Sequence, residues 1–224
     1  MYDNAYMLKK FNPTLTKWEA DSTQPSGVRW DLAIDQQGNP AYVDKNERIL
    51  WKRAGKWTRM KGCAVRIAFG PEGSFYKRGC FAEGNNIFKY NSGKRTWDPL
   101  PKQMAEDIVI DSEGTPWINT WAGEVYRLSG GAWVKMGLRG AAPLAAGPEG
   151  GLYALAAPVI NGDKTIYRWA GATSWVPIKG RGATELSIGI NKKWYVVDSQ
   201  QKIFRYFNPN CVERTVPFYK VDEV

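Results

Sequence analysis

Residues 105–136 read AEDIVIDSEGTPWINTWAGEVYRLSGGAWVKM, and the punctuation of this stretch decides the fold. An apolar run (Ile108, Val109, Ile110) meets a turn from Asp111 to Gly114. A second run (Pro116, Trp117, Ile118), a third (Val125, Tyr126), a Gly-Gly turn and Trp133 follow. Short runs rich in β-branched and aromatic residues, broken by Asp and Gly, are short antiparallel strands. The stretch predicts one four-stranded sheet.

The pattern returns along the chain. Anchoring each copy on its first-turn glycine or the equivalent position gives Gly38, Gly73, Gly114, Gly150 and Lys192. Three residues earlier stand Asp35, Gly70, Asp111, Gly147 and Gly189; three later stand Ala41, Tyr76, Trp117, Tyr153 and Tyr195. Asp or Gly first and Gly fourth is what a type I turn prefers. The third-strand column Met7, Ile49, Ile87, Val125, Ile166 and Ile203 has intervals of 42, 38, 38, 41 and 37 residues by subtraction. Closing tryptophans follow at Trp18, Trp57, Trp97, Trp133 and Trp175, with Val212 in the sixth slot.

A fixed period of this size means a repeat architecture. The first strands (Leu32-Ala33-Ile34, Ile67-Ala68-Phe69, Ile108-Val109-Ile110, Leu144-Ala145-Ala146, Leu186-Ser187-Ile188) are apolar on both faces. Sheets buried on both faces around a narrow axis form a β-propeller. The expectation is all-β: a single domain over 1–224, a six-bladed propeller of four-stranded antiparallel blades. Its last blade is closed by both chain ends, residues 6–19 and the C-terminal TVPFYKVDEV. The competing count is five blades plus an N-terminal hairpin.

Composition narrows the chemistry. There are 31 Lys plus Arg against 22 Asp plus Glu, a net charge of +9, and no histidine. The surplus favours acidic partners such as anionic glycans, phosphate-bearing lipids or nucleic acid. Lack of histidine removes the commonest general base and metal ligand. Three cysteines cannot make a four-thiolate site. No cofactor and no enzymatic activity are expected. The N-terminus lacks a signal-peptide apolar stretch and no run reaches membrane-helix length, so the reading is cytoplasmic, or secreted with a leader outside this sequence.

With the repeats in register, D-[IL]-[AV]-I-D-x-x-G-x-P near residues 31–40 and 107–116, then [IV]-[FYL]-[KR], then a closing G-x-W, resemble the tectonin β-propeller family. The likeness spans about Met7 to Val212. It implies six-bladed lectins that recognise bacterial lipopolysaccharide or modified surface sugars, multivalently and in innate defence. Related domains sit in larger intracellular proteins. The alternative is a structural or scaffolding subunit that docks in a larger assembly, which the high charge and the lone Cys211 suit. Departures are Lys192, Val212 and the incomplete sixth blade. Nucleic-acid binding has no motif to support it.

Sugars are held by an aromatic face beside groups that hydrogen-bond hydroxyls. The closing tryptophans recur with the fold and are read as packing. Trp30, Trp51, Trp121 and Trp169 stand off-pattern and are candidates for glycan binding. The column Lys9, Trp51, Lys89, Arg127, Arg168 and Arg205 is basic in five of six repeats, which adds Arg127 and Arg168. It reads either as side chains covering apolar surface or as an anion-attracting set. Asp31 and Asp107, at the head of first strands, are candidate hydroxyl acceptors or rim residues. A four-residue loop Gly70 to Gly73 gives antiparallel partners whose numbers sum to 143, setting Cys63 opposite Cys80. Opposed Cα atoms lie about 4.5–5.5 Å apart, within disulfide reach.

Overall fold

The computed structural model describes residues 9–12, 17–147, 151–172, 174–179, 182–188, 194–206 and 214–215. The chain is an all-β propeller of five four-stranded antiparallel blades preceded by a two-stranded hairpin. The hairpin is Lys9–Asn12 with Lys17–Ala20. Blade one is Val28–Ile34, Pro40–Asp44, Arg48–Arg53 and Lys56–Cys63; blade two is Arg66–Phe69, Phe75–Arg78, Ile87–Asn91 and Thr96–Pro99. Blade three is Asp107–Ile110, Pro116–Asn119, Val125–Ser129 and Ala132–Lys135. Blade four is Leu144–Ala146, Leu152–Ile160, Asp163–Gly171 and Ser174–Pro177. Blade five is Glu185–Ile188, Trp194–Val197, Ile203–Tyr206 and Arg214–Thr215. The strands pair in chain order within each blade. Two compact units divide the chain, Met1–Ile108 and Val109–Val224.

Five blades replace the expected six. The N-terminal strands pair with each other, Phe11 opposite Trp18, and join no larger sheet among the described residues. Thr215, the first residue of TVPFYKVDEV, is spent opposite Phe204 as the outer strand of blade five. Met7, Val212 and the residues after Thr215 lie outside the described set.

The third-strand column is core in blades one to four, where Ile49, Ile87, Val125 and Ile166 are buried; in blade five Ile203 is half-buried and Phe204 is buried. First strands behave as their two apolar faces require in blades two to five, where Ile67, Ile108, Leu144 and Leu186 are buried. Blade one departs, with Leu32 46% and Ile34 55% exposed. The hairpin that precedes blade one in the chain has two strands among the described residues.

Two closing tryptophans fasten one blade to the one before. Trp97 Nε1 donates to Lys61 O at 2.7 Å, and Trp175 Nε1 donates to Met136 O at 2.7 Å. Each of these two indoles gives its one donor to the preceding blade's outer edge.

Candidate functional site

The sites grow out of one turn. Asp35, Asp44, Asp111 and Asp198 each open a tight turn in which Oδ1 accepts two backbone N–H groups, two and four residues on. The pairs are Gln37 and Asn39, Asn46 and Arg48, Glu113 and Thr115, Gln200 and Lys202, at 2.8–3.0 Å. Asp does this because its short carboxylate reaches its own backbone. Gly38 and Gly114 close two of these turns with φ of +80°, a region open to glycine.

In the Asp35, Asp44 and Asp111 turns Oδ2 is left to bind a side chain. On Asp44 it takes Arg48 Nε at 2.7 Å. Burial alone would push the Asp44 carboxyl up, but Arg48 and the turn N–H groups overcome it and hold it below the usual carboxylate range. On Asp35 it accepts the Trp51 indole N–H at 3.1 Å, and on Asp111 the Trp117 indole N–H at 2.8 Å. Trp51 and Trp117 come from different strands. Cross-strand pairing explains why: Ala41 faces Trp51 in blade one, and Trp117 faces Arg127 in blade three. The same space is filled by an indole from either strand. Where the turn opens with Gly, in blades two and four, tyrosine takes the position: Tyr76 faces Lys89 and Tyr153 faces Arg168.

The basic column follows from this pairing. Arg127 lies over the Trp117 ring at 5.4 Å and Lys89 over Tyr76 at 5.5 Å, covering the aromatic on the neighbouring strand. Arg127 also pairs with Glu113 at 3.3 Å. Arg53 takes the corresponding place over Trp51, at 4.6 Å.

Between blades one and two these turns bound an open groove of about 650 Å³. Asp35, Gln37, Asn39, Trp51 and Arg53 come from blade one. Blade two adds Glu72, Ser74, Lys89, Tyr90 and Ser92. Trp51 and Tyr90 line it, and both belong to a packed aromatic cluster: Trp51 sits 5.1 Å from Phe75, Phe69 stacks on Phe75 at 4.2 Å, and Tyr90 lies 5.1 Å from Trp97. Aromatic rings, with donors, acceptors and both charges beside them, suit a polar ligand that also has an apolar face.

A second cluster occupies the opposite ends of the first strands. Asp31 Oδ2 accepts the Ile67 backbone N–H at 2.7 Å. Arg66 donates to Trp30 O at 3.0 Å and stands 3.6 Å from Asp107. One guanidinium thus spans Trp30 and Asp107. Burial pushes the Asp31 carboxyl up to about 6 from its ordinary 3.8, with the Ile67 N–H and Arg66 opposing and Asp107 reinforcing. Burial likewise raises Asp107.

A raised carboxyl stabilises the fold fully below its unfolded value and loses that contribution as pH climbs through its folded value. The window here is pH 4 to 6, and partial exposure of Asp31 discounts a two-unit gap to about 1–2 kcal/mol. Asp31→Asn keeps the acceptor for Ile67. It is expected to gain that amount at pH 7 and nothing at pH 4, read from urea midpoints at both; equal shifts at the two would refute the titration.

The candidates read from the sequence therefore separate. Trp51 lines the groove between blades one and two. Arg127 covers Trp117, and Trp169 packs on it at 5.2 Å. Arg168 is exposed on the third strand of blade four. Trp30, 43% exposed with Arg29 over its ring, sits beside Asp31 and Asp107, whereas Trp121, 53% exposed, lies on a loop of blade three. Cys63 and Cys80 are joined in a disulfide with Cα atoms 5.5 Å apart. The hairpin account of that pair needs correcting: Ala68 faces Tyr76, one residue off the expected register, and Cys63 belongs to the outer strand of blade one, opposite Arg48. The disulfide joins two blades.

Sequence reading passed over Tyr90, Glu72 and Lys77. Tyr90 shares a column with Trp169, one residue past the basic column, and that aromatic coincidence was the available signal. Lys77 is fully buried, donating to Cys63 O at 2.9 Å and Glu83 Oε2 at 2.6 Å. Its column reads Tyr42, Lys77, Ile118, Ala154 and Val196, and a lone lysine among apolar residues was the available signal.

No protein-family model matches the chain, and no curated protein matches it. Solved structures do. Virginiamycin B lyase from Staphylococcus aureus superposes with a TM-score of 0.66 at 17% identity, over 96% of this chain and 78% of that one. XC5397 from Xanthomonas campestris, a gluconolactonase, gives 0.59 at 14%, over 80% and 73%. YCF48 bound to D1 peptide gives 0.56 at 17%, over 78% of this chain and 64% of that one, so the chain spans less than two thirds of that neighbour. At these identities the likeness is one of fold, and fold does not carry function. The chain shares the β-propeller fold with them.

Proposed function

We propose that this protein is a carbohydrate-binding propeller without enzymatic activity, taking a glycan in the groove between blades one and two. The observation that supports it is the groove's composition: the half-buried Tyr90 ring beside Gln37, Asn39, Glu72, Ser74 and Lys89 in one open trough. A pyranose offers an apolar C–H face and a rim of hydroxyls, which is the complement of this arrangement. Lys89 and Arg53 favour a glycan with phosphate or carboxylate substituents, such as lipopolysaccharide.

A glycan array probed with the full chain tests this directly. The expected result is saturable binding to a set of anionic glycans, weakened about tenfold by Lys89→Ala and by Gln37→Ala in calorimetry, the loss of one charge-assisted hydrogen bond. A folded protein with no saturable glycan, or groove variants that bind unchanged, would refute the reading.

A docking role within a larger assembly is the second reading, favoured by Phe81. This side chain is 86% exposed on the short turn that follows Cys80. Co-purification with a partner at fixed stoichiometry, lost on Phe81→Ser, would favour it over the lectin.

A further inference from the structure

Away from the groove, the seam between blades one and two gathers three groups of metal-ligating chemistry. A Glu47 carboxylate oxygen, Cys63 Sγ and Cys80 Sγ all lie within 4.8 Å of one another. Cys80 is buried, and Glu47 and Cys63 are half-buried. The loop bearing Glu47 is held rigidly: its N–H donates to Asp44 O at 3.0 Å, and its carbonyl accepts the Ala64 N–H at 2.9 Å. Its φ of 59° is one that non-glycine residues seldom adopt.

We propose that the reduced Cys63 and Cys80 thiols, together with Glu47, bind a thiophilic divalent cation of the Zn²⁺ type. The two blades are then tied by a disulfide in oxidising surroundings and by a metal ion in reducing ones. Two thiolates on a tetrahedral ion stand about 3.8 Å apart, given metal–sulfur bonds near 2.3 Å. Cα atoms 5.5 Å apart allow that separation by side-chain rotation alone. Glu47 supplies the third ligand and a water the fourth. Two thiolates and a carboxylate around Zn²⁺ carry a net charge of −1, and the Lys77 ammonium, shared with Glu83, lies on the Cys63 carbonyl beside them.

The exchange balances. A dithiol reductant delivers two electrons and two protons to the disulfide and closes its own, leaving Cys63 and Cys80 as thiols. Metal binding then releases the two thiol protons.

The test uses the full chain with Cys211→Ser, so that only this pair supplies sulfur. Reduced protein, freed of reductant anaerobically, is titrated with Co²⁺ as a spectroscopic probe and then with Zn²⁺. One equivalent should give thiolate-to-cobalt charge-transfer absorption that Zn²⁺ abolishes, and the oxidised protein should give none. Glu47→Gln should bind at least about tenfold more weakly. Circular dichroism follows the fold throughout, and a reduced chain that refolds on adding metal also supports the site. Folded reduced protein with no charge-transfer band, a Glu47→Gln variant that titrates like its parent, or a reduced chain that stays unfolded in metal would each overturn it.

Discussion

Trp117→Ala is expected to destabilise the protein by about 3–5 kcal/mol, the range for truncating a large buried aromatic. Three losses coincide at this residue. The indole fills a pocket against Trp169 at 5.2 Å and Trp175 at 6.4 Å, so its removal leaves a cavity inside the cluster that joins blades three and four. Asp111 Oδ2, a buried acceptor, loses its donor. Arg127 loses the ring it covers. Trp117→Phe separates the contributions by keeping an aromatic and removing the N–H, and should cost only about 1–2 kcal/mol, the price of one unsatisfied buried acceptor. Urea unfolding followed by far-ultraviolet circular dichroism measures both. Equal losses for the two variants would show that the hydrogen bond, and not the packing, dominates. A stronger check exchanges the two observed solutions: in blade one, Ala41→Trp with Trp51→Arg rebuilds the blade-three pair. The double variant should be more stable than the sum of its single changes predicts, because the two residues share one space and one acceptor.

Cys63→Ser should lower stability by about 3 kcal/mol, the loop-closure value for a link across 17 residues. The blades should stay associated, because the rest of the seam survives. Lys77 Nζ still reaches the carbonyl of residue 63, and Trp97 Nε1 that of Lys61. Metal-free reduced wild-type protein should melt with the serine variant, and oxidised wild type above both. If oxidised wild type and Cys63→Ser have the same midpoint, the disulfide contributes nothing to the fold.

The periodic columns of the sequence carried the strands, because a buried position tolerates few side chains. Ile49, Ile87, Val125 and Ile166 mark third strands in the sequence and core in the structure. Blade count was harder. Residues 9–20 carry outer-strand signals as strong as those of any blade, yet strand signals do not say whether inner strands exist to complete the sheet. The candidate site was less legible for a different reason. Trp51 looked off-pattern because a column follows a single strand, whereas an indole reaches the same oxygen from either of two paired strands. Tyr90 and Glu72 of blade two meet Gln37 and Arg53 of blade one only when two blades stand side by side, and no period within a repeat records that. Cys63 and Cys80 were paired from a hairpin register that is one residue off, and they meet across blades instead.

The aspartate turn bears on how such repeats diverge. Its outward oxygen is a socket that one indole fills, from the second strand in blade three or the third in blade one. A direct path between those two arrangements passes through a blade with two indoles competing for one oxygen, or with none. The Gly70 with Tyr76 and Gly147 with Tyr153 combinations remove socket and plug together. A path through that state never strands a buried carboxylate oxygen, so the glycine-headed blades are the neutral ground across which an aspartate–tryptophan pair can change strands.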